Sequence, residues 1–228
     1  MKKTISIVAG FCLIVGILVA ARFDWYAWSM AGLAGHQQEK PGIAMPILSP
    51  QKVSSYKEIA KNNIANNTTN ASLGELAFVT RVIDGDTILV QTLDQKTGAP
   101  KGEERIRYIG MDTPETVKPN TPVECYGHEA SARDKQLVEG KFIWLVKDVS
   151  DRDKYGRLLR FVYVISDNTP TTSSTMVFVD LELIKEGYAR VLTIPPDTGY
   201  KAEFFAAQDS AKTSHAGFWG ACAQYPFQ

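Results

Sequence analysis

Ala77-Phe-Val-Thr-Arg-Val-Ile-Asp84-Gly85-Asp86-Thr87-Ile-Leu-Val-Gln-Thr92 sets two β-branched, apolar runs on either side of an Asp-Gly turn signal. Such residues fill the half-buried pleats of strands, and Asp-Gly supplies a tight reversal, so the stretch predicts a hairpin. Working outward, Glu104–Met111 alternates around Ile106 and Tyr108 and reads as a third strand, with Phe142–Val146 and Leu158–Ile165 as further strands. Between them, Gly127–Glu139 is dominated by good helix formers and stops at Gly140. Val179–Glu186 reads as a short helix ended by Gly187, and Tyr188–Leu192 as extended again. Tyr200, Phe204, Ala207 and Ala211 recur at the spacing of one helix face, predicting a last helix with Asp197 or Thr198 as its cap and Gly217 as its end. About five short strands interrupted by helices imply a small closed sheet with helices packed outside it.

The chemistry-bearing residues fall around these strands. Arg107-Tyr-Ile-Gly-Met-Asp112-Thr113-Pro114-Glu115 follows the hairpin, and Asp153-Lys154-Tyr155-Gly156-Arg157 opens a later strand. Asp86 ends a turn and Asp112 follows the strand that carries Arg107, so neighbouring strands would bring both carboxylates to one rim. Hard oxygen donors suit a cation such as calcium. Arg107 and Arg157 add planar forks that match phosphate oxygens in two places, which lysine does not do. Glu115, beyond a proline that fixes the loop, is placed to order or deprotonate a water. Arg105 and Arg160 read as exposed strand charges. His36, His128 and His215 are scattered, and no phosphate-binding glycine loop or nucleophile elbow occurs.

From about Glu75 to Trp219, the ordered set Asp84-Gly-Asp86-Thr, Arg107…Asp112-Thr-Pro-Glu115 and Asp153-Lys-Tyr-Gly-Arg157 resembles the staphylococcal nuclease (thermonuclease-like) family. The resemblance implies an α+β fold, an OB-type five-stranded β-barrel with about three packed helices, and the apolar run near the N-terminus adds an apolar helix ahead of it. It implies a calcium-dependent nuclease that hydrolyses DNA and RNA with low sequence specificity and leaves 3′-phosphates. Asp86, Asp112 and the Thr113 carbonyl would hold Ca2+, with Arg107, Glu115 and Arg157 catalytic and Lys154 and Tyr155 substrate-binding. The family places two nucleotide-packing tyrosines after the second short helix, where this chain reads Arg190-Val-Leu-Thr-Ile-Pro195-Pro196. The alternative reading is a catalytically silent OB-type module that binds nucleic acid or a protein partner.

The chain's 228 residues carry zero net charge, yet acidic residues outnumber basic ones from Glu75 onward. That excludes a broad cationic coating surface and confines phosphate binding to a local site. Residues 1–35 hold Lys2-Lys3, an apolar run from Ile5 to Ala21, then Trp25, Tyr26 and Trp28. This reads as an uncleaved membrane anchor or a cleaved signal peptide, with the downstream domain exported in both cases. Residues 36–74 are rich in Pro and Asn and read as a disordered polar tether with room for a helical turn or two at Lys57–Lys61, 75–224 as the folded domain and 225–228 as a tail. No obligate protein partner is expected, and the domain reads as a monomer. In an oxidising compartment Cys125 and Cys222 invite one disulfide, the alternative being two separate buried thiols.

Overall fold

The computed structural model describes residues 43–64, 74–116, 122–165 and 174–222. Strands β1 (Glu75–Asp84), β2 (Thr87–Leu93) and β3 (Pro100–Tyr108) run as an antiparallel meander. Strand β5 (Phe142–Val146) pairs with the free edge of β1, and β6 (Leu158–Ile165) pairs with β5. A parallel pairing of Ile106–Tyr108 with Leu158–Arg160 joins β6 back to β3 and closes a five-stranded barrel. The same edge of β6 then takes the short β7 (Met176–Phe178). A separate two-residue pairing joins β4 (Met111–Asp112) to β8 (Arg190–Val191).

Period-two burial explains the barrel. Leu76, Ile88, Val90, Ile106, Ile143, Leu145, Val162 and Val164 are buried at alternating positions, so each strand turns an apolar face inward. The hairpin forms where the sequence places it, with Thr87 opposite Asp84 and Thr87 again opposite Arg107 across β2 and β3. Helix α2 (Gly127–Val138), α3 (Val179–Lys185), α4 (Lys201–Thr213) and the single-turn α5 (Phe218–Ala221) lie outside the sheet. Phe204 and Ala211 of α4 are buried as the helical stripe predicts.

Three expectations are corrected. The stretch read as a disordered tether holds helix α1 (Pro50–Ile64), which buries Val53, Tyr56, Ile59, Ala60 and Ile64. Its Asn63 side chain donates to Ser174 O and accepts from the Met176 N–H, which fixes it to the start of β7. Asp197 does not cap α4. Its carboxylate instead accepts from the backbone N–H groups of Val149 (3.0 Å) and Ser150 (2.8 Å), tying two loops together. Arg160 is buried, not solvated, because it pairs with Glu75 at 3.2 Å and Asp151 at 2.9 Å. Among the described residues no helix is long and apolar enough to cross a membrane, and the N-terminal apolar run lies outside them.

Candidate functional site

The barrel closure sets up the site. Pairing of β2 with β3 puts Asp86, at the tip of the hairpin, beside Arg107, and the Tyr108 N–H donates to Asp86 O at 3.0 Å. The chain then turns through Gly110 into β4, which carries Asp112 back past the same guanidinium. Arg107 thus bridges the two carboxylates, with Nη1 3.1 Å from Asp86 Oδ2 and Nη2 2.9 Å from Asp112 Oδ1. Donations to Met111 O and Tyr108 O lock its orientation. The proposed ligand pair and the first proposed clamp residue are therefore in one cluster.

Asp86 is buried and its oxygens accept from Thr87 Oγ1 at 2.9 Å and from the Thr113 N–H at 3.2 Å. Thr113 is buried too, and its Oγ1 has no hydrogen-bond partner among the described residues. Gly85 faces it so closely that a Cβ there would sit 2.8 Å from that hydroxyl, so only glycine leaves the space. This oxygen-only donor set fits a hard cation such as calcium better than zinc, whose protein sites are built largely on Cys and His. Among the described residues no three His, Cys, Asp or Glu side chains cluster as a metal site, so a backbone carbonyl and waters would have to complete the shell.

Glu115 lies on the same cavity, which has a volume of about 410 Å³ and is also lined by Asp84, Arg105, Arg157 and Arg190. Asp84 is a site residue the sequence reading passed over as part of the turn. Its carboxyl is pushed up to about 6, first by burial and next by a hydrogen bond to Glu115, with Thr116 and the Gly85 N–H pulling the other way. Arg190 was also missed. Its Nε and Nη2 hold Asp112 Oδ2 at 3.1 and 2.7 Å, so the two oxygens of Asp112 face different arginines. Its signal was a basic residue in the stretch where the two tyrosines are replaced.

Arg157 reaches the cavity from the start of β6. Asp153 aligns it, accepting from its Nε at 2.7 Å and from its backbone N–H at 3.0 Å, and this partnership holds the Asp153 carboxyl below the usual carboxylate range against the opposing effect of burial. Tyr155 is 72% exposed and lies under both cations, 5.0 Å from Lys154 Nζ and 5.5 Å from the Arg157 guanidinium carbon. Arg105 is exposed at the rim, as expected for a strand charge. A second cavity of about 530 Å³ shares Arg107 and Arg157 with the first, and Met111, Leu159, Leu192, Ile194 and Pro195 give it an apolar lining. The expected disulfide is present: Cys125 is bonded to Cys222.

The arrangement is a polar pocket in which arginines and carboxylates alternate, opening beside an apolar one. Such a pair suits an anionic group with an apolar plane attached. Comparison with known proteins agrees with this chemistry. The profile of the family described as "Staphylococcal nuclease homologue" matches residues 105–221. A thermonuclease of Staphylococcus intermedius is 38% identical over 146 residues, 64% of this chain and 77% of that protein. A thermonuclease of Staphylococcus hyicus is 38% identical over 141 residues, covering 62% and 73%. Endonuclease YncB of Bacillus subtilis (strain 168) is 40% identical over 141 residues, covering 61% of this chain and 59% of that protein.

Proposed function

The chain belongs to the staphylococcal nuclease family, and on that premise we propose that it is a nuclease that hydrolyses phosphodiester bonds of DNA and RNA. We read it as calcium-dependent, exported, low in sequence specificity and leaving 3′-phosphates. The observation that carries the reading is Arg107 bridging Asp86 and Asp112 at the head of a cavity that Glu115 and Arg157 also line.

In this reading the scissile phosphate occupies the polar cavity and its nucleoside the apolar one. Leu192, Ile194 and Pro195 then offer an aliphatic surface where the family has tyrosines, with Tyr155 at the side and Lys154 near a neighbouring phosphate. Asp86, Asp112 and the Thr113 carbonyl would hold calcium, which when bound offsets phosphate charge and makes a bound water more acidic. Glu115 takes a proton from the attacking water, and its hydrogen bond to Asp84 orients the carboxylate for that task. As water adds to phosphorus, negative charge grows on the equatorial oxygens. Arg107 and Arg157 answer it with fixed donors, and their own carboxylate partners hold them in place before substrate arrives. The P–O5′ bond breaks, the 5′ oxygen leaves and takes up a proton, and the phosphate remains on the 3′ side. Export is supported by the Cys125–Cys222 disulfide, which persists in oxidising compartments.

The test is direct. Full-length protein is incubated with labelled single- and double-stranded DNA and with RNA, in calcium or in chelator, and the product ends are mapped. Cleavage in calcium, its loss in chelator and 3′-phosphate ends are expected. Tight binding without cleavage would instead favour the silent OB-type module.

A further inference from the structure

Glu115 sits on a loop, so something must hold its backbone still. On the inner side, Asp84 accepts from Thr116 Oγ1 at 2.7 Å and Asp86 accepts from the Thr113 N–H. On the outer side Glu124 holds it. Glu124 Oε2 accepts from the Glu115 N–H at 3.0 Å, and the Glu124 N–H donates to Glu115 O at 3.0 Å. Both main-chain polar groups of Glu115 therefore end on Glu124. The turn behind it presses on the same loop: Gly127 N donates to Glu124 O, and a Cβ at Gly127 would sit 2.8 Å from Thr116 Cγ2 and 3.2 Å from Glu115 O.

What fixes this turn is not burial, because both Glu124 and Cys125 are exposed. It is bolted at two points. Tyr126 stacks on Tyr188 with ring centres 5.4 Å apart, and Cys125 is bonded to Cys222 at the end of α5. Helix α5 is in turn seated by buried Phe218, whose N–H donates to Gly187 O at 2.9 Å.

We propose that Glu124 is a positioning residue for Glu115 and that the Cys125–Cys222 disulfide holds Glu124 in register, so that turnover depends on the oxidation state of this pair. The proposal rests on the reading of Glu115 given above. Reduction by a dithiol is balanced: two electrons and two protons pass to the protein, the S–S bond breaks, two cysteine thiols form, and the dithiol becomes its own disulfide. Exposure of Cys125 gives the reductant access. The bond lies outside the core, since Cys125 is exposed whereas Phe218 and the barrel residues are buried by their own packing.

The experiment compares full-length parent protein, oxidised or treated with dithiothreitol, with Glu124→Ala, Glu124→Gln, Glu115→Gln and the Cys125→Ser/Cys222→Ser double variant. Amide hydrogen exchange at Glu115 and Thr116 is measured alongside kcat and KM. In the reduced parent, the double variant and Glu124→Ala, exchange at these two amides should rise at least about tenfold while barrel amides stay protected. In the same proteins kcat should fall about 10- to 100-fold with KM nearly unchanged, the scale of a reacting group displaced by about 1 Å. Glu124→Gln keeps an Oε acceptor and should restore most of the rate. The double variant should not respond to dithiothreitol. Unchanged exchange on reduction and in Glu124→Ala overturns the brace, and faster exchange with an unaltered kcat overturns its link to turnover. Parental turnover in Glu115→Gln refutes the assigned role of Glu115, and the rate half of this proposal with it. The exchange data then still decide whether Glu124 braces the loop.

Discussion

Replacing Ile59 with alanine tests whether helix α1 belongs to the fold. Ile59 is fully buried between α1 and the barrel, although α1 lies ahead of the residues matched by the family profile. The change deletes three carbons, which at about 0.8 kcal/mol per buried CH₂ removes about 2.4 kcal/mol of transfer energy. A residual cavity on the order of 50 Å³ adds about 1.2 kcal/mol at about 24 cal/mol per Å³. The total is near 3.5 kcal/mol, and at about 2–4 °C per kcal/mol for a domain of this size the melting temperature should drop by roughly 7–14 °C. Calorimetry or circular dichroism on the oxidised full-length protein measures this. Ile47→Ala is the control, since Ile47 is 96% exposed, and it should stay within about 0.5 kcal/mol of the parent. No α1 residue lines either cavity, so cleavage at 25 °C should be unaffected in both variants. A shift of less than about 2 °C for Ile59→Ala would show that α1 does not contribute to the core, and the account of residues 50–64 would be wrong.

Arg157→Lys and Arg107→Lys keep the charge but lose the fork, so each should lower turnover by at least about 10²-fold with smaller effects on substrate affinity, whereas Arg105→Lys should be close to silent in steady-state kinetics. Stability should fall as pH rises, because burial pushes the carboxyls of Asp134 and Asp180 well above the ordinary carboxylate value of 3.8. The folded state then holds protons that the unfolded chain releases, so their contribution is complete below that value and is lost progressively at higher pH. Melting curves from pH 4.5 to 8 should show this slope, and Asp134→Asn with Asp180→Asn should flatten it; a parental profile that rises with pH contradicts the assignment. Activity removed by chelator should return with calcium, and a strict requirement for zinc would refute the oxygen-donor site at Asp86 and Asp112.

The hairpin, the strands beside it and helices α2, α3 and α4 were legible in the sequence because each carries a local signal: β-branched alternation, an Asp-Gly turn, or an i, i+3, i+4 stripe ending in glycine. Arg107, Glu115 and Arg157 were legible as motifs, and the structure brings them to one cavity. Helix α1 was legible only as a turn or two at Lys57–Lys61, because prolines and asparagines dominate its surroundings. Its spacing of Val53, Tyr56, Ile59–Ala60 and Ile64 was nonetheless that of a buried helix face. Asp84, Glu124 and Arg190 were missed for a different reason. Their meaning lies in partners 31, 9 and 78 residues away, and only the closed barrel brings those partners within hydrogen-bond distance. Arg160 misled in the same way, since a strand arginine looks solvated until Glu75 and Asp151 are placed beside it.

The central claim is that Glu115 prepares water for attack on a phosphate held by Arg107 and Arg157. The most direct measurement is the single-turnover cleavage rate of a labelled oligonucleotide by the parent and by Glu115→Gln, both oxidised and in saturating calcium. Glutamine keeps the shape and loses the proton-accepting charge. The account predicts a rate at least about 10²-fold lower in the variant, with substrate binding preserved. Cleavage by a folded Glu115→Gln protein at the parental rate would contradict it.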